Sequence, residues 1–316
     1  MKHFNILCKT ALLLILMLTG AAKMSAQEAY AVLSPDKTTL TFYYDNEDDQ
    51  KEGTMYSLPS AGVPGWYNNS NNLKKITKVV FDDTFADARP TTTNSWFAKM
   101  NNLTKIVGIE NLNTSEVESM KSMFQGCYSL GTVTEPEDPY EEQDESAPLD
   151  LSHFDTSKVT DMNSMFDNCS GLTYLDLGSF DTSNVMDMDG MFRFCTSLEG
   201  INCFYYDEET YESGTHFVTS NVLTMKEMFN RCEKLQFIDS EPFDVRKVQN
   251  MQEMFSGCES LEYLYVLSEI YDEEGYPIDY SNVSLRNMKR MFYGCTSLQS
   301  VDLSGVKTEY VTDMSY

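Results

Sequence analysis

One string governs what this chain can fold into: M-x-x-M-F-x-x-C-x-x-L, which recurs six times, beginning at Met120, Met162, Met188, Met225, Met251 and Met288. A degenerate copy starts near Thr93, with Trp96, Phe97, Met100 and Leu103 in the matching slots, and a further copy begins at Met314. Successive steps are 42, 26, 37, 26, 37 and 26 residues, so the unit is 26 and the longer steps carry insertions of 16, 11 and 11. Such a period predicts a solenoid, because one coil cannot bury its apolar side alone and must stack on the next.

Each unit also predicts its own local structure. Met188, Met191, Phe192 and Cys195 fall at i, i+3, i+4 and i+7, the apolar face of a short helix. The residue before the first Met is Ser119, Asp161, Asp187, Thr224, Asn250, Asn287 and Asp313 in turn, all good N-caps. Gly126, Asn168, Gly257 and Gly294 precede the Cys and suit the left-handed turn that ends a helix, whereas Phe194 and Arg231 depart from this. The alternation Leu172 to Leu177 predicts a half-buried strand with Leu175 and Leu177 inward and Tyr174 and Asp176 outward. A turn such as Phe180 to Val185 completes the coil.

The cysteines follow from the same register. Cys127, Cys169, Cys195, Cys232, Cys258 and Cys295 share one inward slot, and Cys203 replaces the inward leucine seen at Leu177. They are expected to pack as small buried residues. Neighbouring coils could bring some pairs within disulfide range, but in-register stacking seldom supplies the torsion. No C-x-x-C or Cys–His pair points to zinc.

At the start of the chain, Lys2 and Lys9 precede the apolar run Ala11 to Gly20, and small residues lead to Ala26. This is the layout of a secretory signal peptide over residues 1–26, with an uncleaved anchor as the alternative. No second apolar stretch approaches membrane length. Cleavage removes Lys2, Lys9 and Lys23 and no carboxylate, taking the net charge from −26 to −29. A chain this acidic disfavours phosphate backbones, so nucleic acid is not an expected partner.

The strings LDLSHFDTSKVTDMNSMFDNCSGL (149–172) and LDLGSFDTSNVMDMDGMF (175–192) resemble BspA-like leucine-rich-repeat surface proteins. The resemblance covers residues 73–316, and residues 27–72, with Thr39 to Tyr44 as a strand, look like the β-rich N-terminal cap such proteins carry. It implies an α/β leucine-rich-repeat-like solenoid, a right-handed superhelix with one short parallel strand and one short helix per coil. It also implies no catalysis, and adhesion to host matrix or neighbouring cells. No ligand residues carry over.

Two surfaces compete for a binding role. Outward strand positions line up as Tyr174, Gly200, Phe237, Tyr263, Ser300 and, beside them, Asp176, Asn202, Asp239, Tyr265, Asp302. Of these, Tyr174, Asp176, Phe237, Asp239, Tyr263, Tyr265 and Asp302 are the candidate contacts; aromatic rings in a row can anchor a partner, or can simply cover a sheet. The second surface is the acidic insertions 133–148, 204–216 and 268–280, which hold no Lys or Arg. Such a flank favours basic partners or divalent cations, or keeps the solenoid soluble. No loop there matches an EF-hand, and no cofactor is expected.

His153 and His216 are the histidines outside the leader, two coils apart, and no catalytic motif is present, so an enzyme is not expected. The favoured expectation is an exported adhesin for a protein partner; the alternative is a glycan-binding or cation-dependent envelope module. Because the chain stops inside a repeat, a truncated gene, a fragment or edge-to-edge association is expected.

Overall fold

A computed structural model describes residues 27–131, 149–206, 213–238, 243–264, 285–303, 306 and 308–315. The expected signal peptide (1–26), the insertions 133–148 and 268–280, and residues 207–212 of the insertion 204–216 lie outside the described residues.

The cap begins with β1 (Glu28–Leu33), β2 (Thr39–Asp45) and β3 (Thr54–Ser57), with β1 antiparallel to both others. On β2 the even positions Leu40 and Phe42 are fully buried, the period-two pattern of a half-buried strand. The next strands, β4 (Lys78–Phe81) and β5 (Lys105–Val107), run parallel to β2, giving the order β3-β1-β2-β4-β5. The antiparallel cap and the first parallel coils therefore share one sheet. Gly108 follows β5 with φ +69°, and a Cβ there would lie 2.3 Å from the carbonyl oxygen of Phe81, so a side chain does not fit.

The coils stack in register. Ser119, Asp161, Asp187, Thr224, Asn250, Asn287 and Asp313 form a continuous run of parallel bridges that begins at Thr92. The matched phenylalanines, Phe97 to Phe292, form an interior row with ring centroids 5.2 to 6.0 Å apart. Each such aromatic pair adds about 0.5–1.5 kcal/mol beyond its burial. Beneath the row, the six cysteines of the shared slot, Cys127, Cys169, Cys195, Cys232, Cys258 and Cys295, each place Sγ 3.0 to 3.2 Å from the Phe carbonyl oxygen of the preceding coil. The seven described cysteines are free thiols.

The short helix is a correction. The segment Met120–Cys127 forms three overlapping turns: Met123 N donates to Met120 O, Gln125 N to Ser122 O and Cys127 N to Phe124 O, each at 3.1 Å. Ser122 and Gly126, third residues of the first and last turns, have φ +54° and +75°, as type II turns require. Phe124 N does not bond back to Met120, as in a helix; it donates to Met165 O of the next coil at 2.9 Å. Spacing decides this. Coils about 5–6 Å apart on this side leave no room for helices, which pack about 8–10 Å apart, and a two-turn helix is marginal alone. Alternate amides bridge coils instead, as Ser122 N to Asn163 O and Gly126 N to Asp167 O.

The apolar face survives this change: Met120, Met123, Phe124 and Cys127 are all fully buried. So does the cap chemistry, in another role. Asp161, Asp187, Asn250, Asn287 and Asp313 accept from the backbone N–H two residues on, closing Asx turns without a helix.

Candidate interaction surface

The strands that carry the outward row are shorter than the alternation suggests. They are β6 (Tyr174–Asp176), β7 (Gly200–Asn202), β10 (Tyr263–Leu264) and β11 (Ser300–Val301). A small antiparallel pair, β8 (Tyr205–Tyr206) with β9 (Ser213–Gly214), marks the base of the second insertion. Pairing follows the sequence register: Tyr174 opposite Gly200, Asp176 opposite Asn202, Tyr263 opposite Ser300.

Inward neighbours Leu175 and Leu264 are buried, so the row points out. Tyr174, Phe237 and Tyr263 are 52%, 64% and 43% exposed, while Asp302 is half-buried. Asp239 and Tyr265 lie outside the described residues. The Tyr174 ring covers Gly200, whose absent Cβ would sit 3.7 Å from it. Burial, then the charge of Asp176, raises the Tyr174 hydroxyl pKa, keeping it neutral and a donor. Asp176 accepts from Asn202 Nδ2 at 3.0 Å and Gly178 N at 2.9 Å, so the polar row is braced across coils. The Tyr263 hydroxyl donates to Gln299 Oε1 at 2.9 Å. Tyr174 and Tyr263 thus stand on paired strands, whereas Phe237 lies on none, so the expected strand is missing at that coil among the described residues.

Two polar ladders were not legible in the apolar pattern. Buried Thr114, Thr156, Thr182 and Thr219 donate to carbonyls of the following coil at 2.7 to 2.9 Å. The signal was present as the Thr-Ser pair that recurs at 114, 156, 182 and 219, twice within F-D-T-S. On another face, Arg193 makes a bidentate pair with Asp167 (3.0 and 2.8 Å) and reaches Glu227 at 2.7 Å. The Asp167 hydrogen bonds raise the already high Arg193 pKa. Both ladders lock register.

Other candidate chemistry is dispersed. His153 packs edge-on to Phe154, whereas His216 stacks on Tyr205 with centroids 4.7 Å apart. Burial pushes the Cys195 thiol up to about 12 and Cys295 to about 11, and raises Cys169, Cys232 and Cys258 well above the usual range. Neutral buried thiols are poor nucleophiles and poor metal ligands. Among the described residues no cluster of three His, Cys, Asp or Glu side chains could hold a metal ion, and no helix is long and apolar enough to cross a membrane.

The family described as "Mycoplasma protein of unknown function, DUF285" matches residues 72–135, 91–205, 201–268 and 266–316. No curated protein matches the chain. Among solved structures, a T. pallidum leucine-rich repeat protein is similar at 15% identity and TM-score 0.35, over 73% of this chain and 86% of its own. A Bacteroides ovatus leucine-rich repeat protein is similar at 15% identity and TM-score 0.35, over 88% of this chain and 70% of its own.

Proposed function

This chain belongs to the DUF285 family of repeat proteins, and from that premise we propose that it is a BspA-like exported protein, on the cell surface or secreted, that binds other proteins and catalyses no reaction. Its partner is a host matrix protein or a protein of a neighbouring cell. The outward residues Tyr174, Phe237 and Tyr263 carry the reading: three large rings stand exposed, two of them on paired strands of neighbouring coils. Aromatic anchors on a preorganised surface keep the ordering cost of binding low. Export rests on the leader-like layout of residues 1–26.

The test is retention of the purified chain on immobilised matrix proteins, with and without Tyr174→Ala, Phe237→Ala and Tyr263→Ala together. The wild type should be retained and the triple variant should bind at least tenfold more weakly, at unchanged thermal stability. Equal retention of the two chains removes the row from the binding site.

A further inference from the structure

The slot just before the cysteine is left-handed in every described coil, and glycine or asparagine fills it at positions 126, 168, 257 and 294. Phe194 and Arg231, on adjacent coils, hold the same backbone, each with φ +59°. A bulky side chain is strained in that conformation and glycine is not. Both side chains are exposed, so burial does not repay the strain. Lys99, the bulky residue of this slot in the first coil, is engaged with the cap: its ammonium lies 4.0 Å from the Tyr67 ring centroid. Strain that folding alone would remove is kept where a surface uses it.

The two departures meet. The Arg231 guanidinium carbon lies 6.0 Å from the Phe194 ring centroid, and that of Arg193 lies 5.8 Å from the same ring. A Cβ added at Gly257 would stand 3.1 Å from Arg231 Cγ, so the arginine stem runs over that glycine. The two guanidiniums differ in what they have left to give. Arg193 is taken up by Asp167 and Glu227. Among the described residues Arg231 reaches a carboxylate only at Glu233, 3.9 Å away, with the two side chains 58% and 40% exposed. A pair so long and so wet contributes little. Two coils before Phe194 on the same edge, Tyr128 is 44% exposed and its hydroxyl accepts from Asn168 Nδ2 at 3.4 Å.

We propose that this edge, apart from the outward strand residues, binds an extended protein segment that sets a carboxylate on Arg231 and, two residues away, an apolar side chain on Phe194. An exposed aromatic ring beside an arginine is the composition of interface hot spots. The planar guanidinium fork matches a carboxylate. Spacing agrees: side chains on one face of an extended chain recur about every 6.7 Å, and the rings of Phe192 and Phe229, in the same two coils, are 5.3 Å apart. A sulfated glycan fits poorly, because one open guanidinium answers one anion. Beyond it a polyanion meets Asp167 and Glu227, whose charge Arg193 already balances.

The probe is a set of immobilised peptides, Gly-Ser chains carrying Leu-Ser-Glu or Glu-Ser-Leu at the centre, with Gln for Glu and Ser for Leu as controls. The full-length chain should be retained on the Glu peptides and at least tenfold less on either control. Arg231→Gln and Phe194→Asn, the latter placing the residue of the matching slot 168, should each weaken retention at least tenfold while the melting temperature holds or rises. Arg231→Lys should not restore it, since an ammonium forms no fork. If Phe194→Asn lowers the melting temperature, Arg231→Gln decides, because it alters only an exposed head group. Ala at Tyr174, Phe237 and Tyr263 should leave peptide binding unchanged, so this edge and the strand residues fail independently. No retention of the wild type, equal binding to the Gln peptides, full retention by Arg231→Gln, or heparin held more tightly than the peptides would each overturn the proposal.

Discussion

The cap and the coils bury aromatic rings in different ways. In the coils from Phe124 onward each phenylalanine stacks on its own copy in the neighbouring coil with nearly parallel rings, as Phe124 on Phe166 with an interplanar angle of 2°. In the cap, Phe42 meets five different partners: it stacks on Phe81 at 4.6 Å and Trp96 at 5.0 Å and takes Trp66, Phe85 and Phe97 edge-on. Trp66 Nε1 donates to Trp96 O at 2.8 Å, tying this cluster to the first coil. Repetition spreads stability evenly along the coils. The cap concentrates it in one irreplaceable junction, where the row of rings ends against β2.

The sharpest separation of the two regions is chemical. Residues 27–72 contain no cysteine, while the coils hold a column of buried thiols. A thiol whose folded pKa is raised stabilises fully below its unfolded value, near about 8.5, and that stability is lost as pH rises toward the folded value. For Cys195 the window runs up to about 12. Alkaline titration should therefore melt the coils before the cap, each titrating thiol withdrawing about 1.4 kcal/mol per pH unit. Amide exchange would show this, and alanine at Cys169, Cys195 and Cys232 should blunt it.

Next come the rings. Phe166→Ala and Phe42→Ala should each lower the unfolding free energy by about 3–5 kcal/mol, read from denaturant midpoints. Their patterns should differ: Phe42→Ala loosens amides of the cap and first coil and leaves the Phe255 amide protected, whereas Phe166→Ala loosens the coils on both sides of it. Identical patterns would mean that cap and coils unfold as one unit.

Thr182→Val removes the hydroxyl that donates to Val218 O at 2.7 Å and should cost about 1 kcal/mol. The smallest effect belongs to Asp161→Asn. Burial raises the Asp161 pKa, so its ionised form weighs against folding at neutral pH. Asn occupies the matching slots 250 and 287 and closes the same Asx turn. The substitution should gain up to about 0.5 kcal/mol at pH 7. That gain should vanish as acid protonates Asp161.

What could be read in advance follows from the same contrast. Stacking, the interior Phe row, the thiol column and the register of Tyr174 on Gly200 were legible because each is a consequence of period alone. The state of the Met-to-Cys segment was not. Spacing of i, i+3, i+4, i+7 describes one face of a helix, and successive tight turns with left-handed residues at Ser122 and Gly126 hide the same side chains. Coil separation chose between them, and it is set by the neighbouring chain rather than by the segment.

Trans-hydrogen-bond scalar couplings measure the stacking directly. The Phe166 amide nitrogen should couple to the carbonyl carbon of Met191, whose oxygen accepts its proton at 2.9 Å across coils. Coupling to the carbonyl of Met162, four residues back in the same coil, would restore the helix and contradict the stacked-turn architecture.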